Sequence, residues 1–450
     1  MKTDETFDVI VIGAGPGGVE AAVEAGKSGM RTAVISQMPI GGRATYGSLL
    51  PSKAWLHSAE HADHDGHSSL PDPAPLRTRI QELQKARTAQ LSDRLSEHGV
   101  EIISGTARFI DRAHVKVYAD EGEQELNAEH IVIAAGSEPR FFPNVKPDGE
   151  RIIAPRHTQK LQEIPPRIVM VGGGVTGIEY ASAFRKMGSA VHLITDIDRV
   201  LPRTDPELAA RITEYLESIG VSFSFDTPIS SVESDGERVR IKTAGGEVHT
   251  SDYAFIATGR RPDTSFLEEA TEKPSDVAGG WLEVDRDGRT SLEGVYATGD
   301  IAGPPLTANN AHATARRIVA SIAGRPTSEA APSLLEATYT HPQVVHIGPV
   351  SELAARDVHG RAEDRTDGVK EIRHSYEDSL LGRIHGGHPS GLLKLWVGED
   401  DELIRGAAAF GEHAVEVLAP VQLAMEHRIR YSTLRSTPFA HPALSEVLSL

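Results

Sequence analysis

The chain has 450 residues, 39% of them apolar, with no apolar run near the roughly 18 residues a membrane span needs, so it is a globular chain of two to four expected domains. Its net charge of −18, from 64 acidic and 46 basic side chains, argues against nucleic-acid binding and against membrane insertion or attachment to an anionic surface. There is no cysteine, which excludes a disulfide framework, a thiolate zinc site, an iron–sulfur centre and any thiol–disulfide exchange by the chain's own residues.

The N-terminus runs into an apolar strand at residues 9–12 without a basic, cleavable leader, so a cytoplasmic location is expected. That strand meets Gly13-Ala-Gly15-Pro-Gly-Gly18, then a helical stretch and a second strand at 33–35. The histidines His57, His61, His64 and His67 recur at intervals of four, three and three. A continuing helix would put the first three on one face, where they are candidate metal ligands; residues 57–75, rich in His, Asp, Ser and Pro, otherwise read as a loop or insertion. Leu76, Ile80, Leu83, Leu91 and Leu95 predict a helix over about 76–98, stopped by Gly99.

The plan then repeats: an apolar run at 168–171, Gly172-Gly-Gly174-Val-Thr-Gly177, a helix through Lys186 and a strand at 191–194. In each copy a β-branched run, G-x-G-x-x-G and an amphipathic helix form the βαβ context of a dinucleotide site. The first glycine (Gly13, Gly172) permits the turn, the second (Gly15, Gly174) lets a pyrophosphate approach, and the third (Gly18, Gly177) lets the helix pack closely. The expected fold is α/β: two Rossmann-like dinucleotide-binding domains and a C-terminal α+β domain. The expected boundaries are 1–150 and 282–332 for a split first dinucleotide domain, 151–281 for an inserted second one and 333–450 for the C-terminal domain.

Residues 41–53, GGRATYGSLLPSK, resemble the active-site segment of the flavoprotein (pyridine nucleotide) disulfide oxidoreductases, G-G-T-C-x-N-x-G-C-x-P-S-K, with Ala44 and Leu49 in place of both redox cysteines. The resemblance spans the chain. Ala134-Ala135-Gly136-Ser-Glu-Pro139 is similar to the family's A-T-G-S-x-P, and residues 290–300 to T-x-x-x-x-x-Y-A-x-G-D. It implies FAD at the first fingerprint (1–150 and 282–332 as the FAD domain), NAD(P)H at the second (151–281 as the NAD(P) domain), Asp300 on the flavin ribityl chain, and a homodimer through residues 333–450 as the dimerisation domain. Gly42, Ala135, Gly136 and Gly259 join the expected cofactor-binding set.

The same resemblance makes Lys53 and Glu179 an ion pair near flavin N5, the Glu offsetting the cation's desolvation. His441 and Glu446, in HPALSE, match the pair that works as acid–base on the dithiol across the dimer interface; here it either serves another acceptor or staples the interface. The adenosine-ribose acid expected after each second strand is replaced by Ser36 and Thr195. Asp196 follows Thr195 and would repel a 2′-phosphate, so NAD(H) is favoured over NADP(H), with Arg199 and Arg203 leaving NADPH open.

The expected activity is an FAD-dependent NAD(P)H oxidoreductase delivering electrons to a small non-disulfide acceptor: a quinone, a nucleotide, a metal ion or oxygen. Thr45, Tyr46 and the partner subunit's His441 are expected to line its pocket. Residues 179–188 with Asp198-Arg199 resemble the soluble transhydrogenases of the family, which keeps transhydrogenation open. So does a catalytically quiet, nucleotide-binding dimer.

Overall fold

The run Phe7–Ile12 is the middle of a parallel sheet in the order Glu101–Ser104, Thr32–Ser36, Phe7–Ile12, Gly122–Ile133, with Val295–Ala297 beyond. A computed structural model describes residues 6–61, 70–327, 333–358, 368–387 and 389–450. It divides into two units, one of residues 1–51, 77–140 and 259–331, the other of residues 52–76, 141–258 and 332–450.

In the first unit the strand's period of two sends Ile10 and Ile12 to one face, packed with Ile35, Ile131 and Ile133. Val9 and Val11 go to the other, packed with Val19, Val23, Ile318 and Val319 of the helices Pro16–Lys27 and Ala308–Ile322. Both faces are covered, which is why the strand reads as a continuous apolar run rather than an alternating one. Gly122–Ile133 continues into an antiparallel meander with His114–Ala119 and Thr106–Phe109.

The predicted helix at 76–98 is observed as Ala74–Glu97. It starts earlier because Asp72 accepts a hydrogen bond from the Ala74 amide (2.8 Å) and Pro75 sits in the first turn, where its missing N–H costs nothing. Gly99 ends it at φ +69°. The expected loop from residue 57 begins later, because residues 57–60 complete the helix Leu49–Glu60; residues 62–69, with His64 and His67, lie outside the described residues. The GGRATYGSLLPSK segment forms two helices, Gly42–Tyr46 and Leu49–Glu60. Gly47 leaves helical geometry between them (φ −130°), and the Ser48 hydroxyl donates to the Arg43 carbonyl (3.2 Å).

The second unit repeats the parallel plan in the order Ser222–Ser224, Ala190–Ile194, Arg167–Val171, Tyr253–Ile256, Ile152–Ile153. Trp55 packs on Phe184 (5.3 Å between ring centroids) and Tyr180 on Phe255 (4.7 Å), which anchors the helix Val175–Lys186. A five-stranded antiparallel sheet follows, ordered Leu335–Thr338, Gln343–Ile347, Ile404–Gly411, Leu392–Gly398, Val369–Ser375, with the helix Ala414–Glu426 on its apolar face. From this sheet Lys394, whose side chain is 5% exposed, reaches Asp205 (2.8 Å), the residue whose carboxylate caps the helix Pro206–Ser218. Glu371 (3.3 Å) and Glu207 (3.5 Å) complete its shell.

Candidate functional site

The two glycine loops have the same geometry. Gly13 and Gly172 adopt φ +102° and +114°, and a Cβ on them would lie 2.5 Å from the Ala134 carbonyl oxygen and 2.3 Å from that of Ala257. A Cβ on Gly18 or Gly177 would come within 1.9 Å of the carbonyl of the first glycine of its own loop. Gly15 and Gly174 face open space. Each caps its helix without a side-chain acceptor, and neither helix has an acidic residue in its first turn. The first amides of both helices therefore lack intrahelical acceptors beside a concavity that a side chain would fill, which is the setting a pyrophosphate needs. Gly42 (φ +55°) borders the first loop: its Cβ would lie 3.1 Å from the Gly15 Cα. On these observations each loop fits the pyrophosphate of a dinucleotide, the group that FAD and a nicotinamide dinucleotide share.

Asp300 opens a short 3₁₀ turn, Gly299–Ala302, and is half-buried. It accepts a hydrogen bond from the Ser137 hydroxyl and lies 3.4 Å from the Arg260 guanidinium. Arg260 also donates to the Ser137 hydroxyl (2.6 Å) and carbonyl (2.7 Å), while Arg43 reaches the same carbonyl (3.0 Å) and Asp263 (2.7 Å). Burial lowers the Arg260 pKa against the pull of Asp300. Burial would raise Asp263, but the Ser265 hydroxyl and Arg43 hold it below the usual carboxylate range. Sequence reasoning singled out Asp300 and missed Arg43, Ser137, Arg260 and Asp263. Two signals were available: Ser137 follows Gly136, and Arg260 follows Gly259 at a crossing where the Arg140 amide donates to the Gly259 carbonyl (3.0 Å). Ala135 and Gly136 lead from the strand Gly122–Ile133 into Ser137.

Lys53 and Glu179, 126 positions apart, form a two-pronged ion pair at 2.6 and 2.7 Å. Glu179 is 3% exposed and Lys53 33%. The Tyr339 amide donates to the same carboxylate (3.0 Å), and the Lys53 ammonium sits 4.4 Å from the centroid of the Tyr339 ring. Burial and the neighbouring Glu179 raise the Tyr339 pKa. Tyr339 carried no sequence signal, since it acts on Glu179 through a backbone amide.

The remaining expected site residues fall out as follows. The Ser36 hydroxyl donates to the Met38 carbonyl (2.7 Å) and accepts from the Met38 amide (3.4 Å), which leaves one lone pair for a further donor. Thr195 is buried against Gly173, so the first exposed side chain after the second strand is Asp196. Arg203 is taken by Glu336 (2.8 Å), and Arg199 by the Pro202 carbonyl (3.2 Å) and Asp198 (3.5 Å). Thr45, expected to line an acceptor pocket, is buried, and the Tyr46 hydroxyl is bonded to that of Thr88 (2.6 Å), because the helix Ala74–Glu97 covers both. Ala44 is half-buried and Leu49 46% exposed. The exposed His441 ring is bonded through Nδ1 to Glu446. The Ala443 amide and His441 hold Glu446 below the usual carboxylate range. Of the histidine cluster, His57 and His61 lie beside Glu60.

The pyridine nucleotide-disulphide oxidoreductase model matches residues 7–315, and that family's dimerisation-domain model matches residues 335–450. The chain belongs to this family. It is similar to dihydrolipoyl dehydrogenase 3 of Pseudomonas aeruginosa, with 31% identity over 99% of this chain and 97% of that protein. It is 30% identical to the dihydrolipoyl dehydrogenase of Chlamydia muridarum, over 99% and 96%. Among solved structures, LpdA from Mycobacterium tuberculosis superposes with a TM-score of 0.88 at 27% identity, covering 98% of each chain. Membership makes the chain a flavoprotein oxidoreductase that uses FAD and a nicotinamide nucleotide, and the dimerisation domain supports a homodimer. Among the described residues no helix is long and apolar enough to cross a membrane.

Proposed function

We propose that this protein oxidises NAD(P)H through FAD and passes the electrons to a small acceptor other than a disulfide. The observation that carries the proposal is a family scaffold with both glycine loops and the Lys53–Glu179 pair in place but no cysteine among 450 residues. Bound FAD supplies the chemistry that couples a two-electron donor to one- or two-electron acceptors. The chain's own part is to bind, orient and neutralise. The unbonded first-turn amides of the helices Pro16–Lys27 and Val175–Lys186 would hold the two pyrophosphates, and Asp300 would receive a ribityl hydroxyl.

Lys53 would present a fixed cation to a bound, reduced flavin. Glu179 and the Tyr339 ring keep that cation in one place, so little reorganisation is needed at the moment of transfer. NADH is the favoured donor: Asp196 is exposed where a 2′-phosphate would fall, and Arg203 is already paired. His441 and Glu446 can protonate a reduced acceptor, since an imidazole oriented by a carboxylate is a competent general acid near neutrality.

Anaerobic mixing of the FAD-loaded protein with NADH and with NADPH, followed by reoxidation with quinones, nicotinamide nucleotides, metal ions, oxygen and lipoamide, tests this reading. Bleaching of the flavin by NADH and reoxidation by a non-disulfide acceptor are expected. Efficient lipoamide turnover would overturn it, and a flavin that NADH leaves oxidised would point instead to a quiet nucleotide-binding dimer. Reoxidation by a nicotinamide nucleotide alone would identify a transhydrogenase.

A further inference from the structure

The end of the helix Leu49–Glu60 carries three metal-ligating side chains that the proposed reaction does not use. His57, Glu60 and His61 are exposed, and one ligand atom from each lies within 4.8 Å of the other two. The two imidazole centroids are 4.4 Å apart, as expected for side chains four residues apart at the end of a helix.

We propose that His57, Glu60 and His61 bind a divalent transition-metal cation of the imidazole-preferring class: Cu(II), Ni(II) or Zn(II). The hydrogen bonds around the three residues support this beyond their proximity. His61 Nδ1 lies 2.8 Å from the His57 carbonyl oxygen. A carbonyl only accepts, so Nδ1 carries the proton and Nε2 presents its lone pair, which is how metal-binding histidines are commonly oriented. The Glu60 carboxylate is in turn 3.1 Å from His341 Nε2, whose Nδ1 is 3.8 Å from Glu412. His341 is thus an outer-shell group that holds the central ligand in place, with Glu412 beyond hydrogen-bond range and acting on it through charge alone.

Electrostatics also favour a cation. Two carboxylates, Glu60 and Glu412, face one ammonium, Lys186, which is bonded to the His341 carbonyl (3.2 Å). With metal–ligand bonds of about 2.0–2.2 Å, donors around one ion stand roughly 3–3.5 Å apart. Exposed side chains need only rotamer adjustments of an ångström or so to close from 4.8 Å. Two imidazoles and a carboxylate suit the three metals named, and Cu(II) ranks first among them for such donors. Water completes the coordination. The site begins one helical turn after Lys53 and shares no side chain with the Lys53–Glu179 pair.

The test uses the intact FAD-loaded protein. Cu(II) is titrated with electron paramagnetic resonance to count imidazole nitrogens, and Ni(II) by calorimetry to measure affinity. One cation per chain with two nitrogen ligands is expected. His57→Asn and His61→Asn should each weaken binding at least tenfold, and His341→Asn, which removes only the outer shell, about ten- to a hundredfold. All three variants should retain FAD content and NADH-driven bleaching, which shows that they fold. Unchanged affinity in the His57→Asn/His61→Asn double variant would overturn the proposal. Loss of binding on His64→Asn/His67→Asn with no effect of the first pair would also overturn it.

Discussion

Replacing Glu179 by Gln removes one charge from a nearly enclosed pair while keeping the side chain's shape and its acceptor for the Tyr339 amide. The pair is two-pronged, at 2.6 and 2.7 Å, with the carboxylate 3% and the ammonium 33% exposed. Breaking a fully buried pair costs about 3–5 kcal/mol; with a third of Lys53 in water, roughly 2–3 kcal/mol is the appropriate figure. If that energy holds the ammonium in its working position, its loss at the transition state slows flavin reduction by about 30- to 160-fold, at 1.36 kcal/mol per tenfold. Anaerobic stopped-flow mixing with NADH measures this directly from the loss of flavin absorbance. Lys53→Met should be slower still, since it removes the cation itself. A Glu179→Gln protein that bleaches at the parent rate with full FAD content would refute the assignment of this pair to hydride transfer.

The other expectations concern stability and cofactor binding. Lys394→Met strands Asp205 and Glu371 without their buried cation and should cost about 3–5 kcal/mol, read as a lower denaturant midpoint. Burial lowers the Lys394 pKa but the Asp205 contact raises it more, so its contribution is complete below the unfolded value of 10.5 and is lost as pH climbs through the higher folded value. Glu20, 2% exposed, is the acid-side counterpart: burial would raise its pKa, but Arg316 (2.6 Å) and Arg94 (3.0 Å) pull it below 4.5. Its stabilisation is present above pH 4.5 and disappears as pH falls through the lower folded value, so Glu20→Gln should flatten that limb of a denaturation-versus-pH curve. Gly174→Ala meets open space and should leave folding and FAD content intact while raising the KM for NADH; Gly177→Ala, 1.9 Å from a backbone carbonyl, should disrupt the loop and yield little folded protein.

The glycine loops were legible because their requirements are local. A positive φ at Gly13 and Gly172, and the closeness of Gly18 and Gly177 to the first glycine's carbonyl, follow from spacing over six residues and the strand before them. The apolar runs at 9–12 and 168–171 likewise announce strands covered on both faces. The departures were legible too: Ala44 and Leu49 exclude a dithiol whatever the fold.

Other features depend on residues that only folding brings together. Ser137 becomes a hub because Arg43 and Arg260 arrive from 94 and 123 positions away. Arg203 is paired with Glu336, 133 positions distant, and Glu60 is held by His341 from another segment of its unit. Tyr339 supports Glu179 through a backbone amide, a donor that every residue except proline possesses and that therefore leaves no trace in composition or spacing. Sequence alone thus determined the family, the two nucleotide loops and the loss of the thiol relay, since each is a short-range constraint on backbone or chemistry. Tertiary structure decided which charges are already neutralised, because pairing depends on distance in space and Coulomb energy takes no account of separation along the chain.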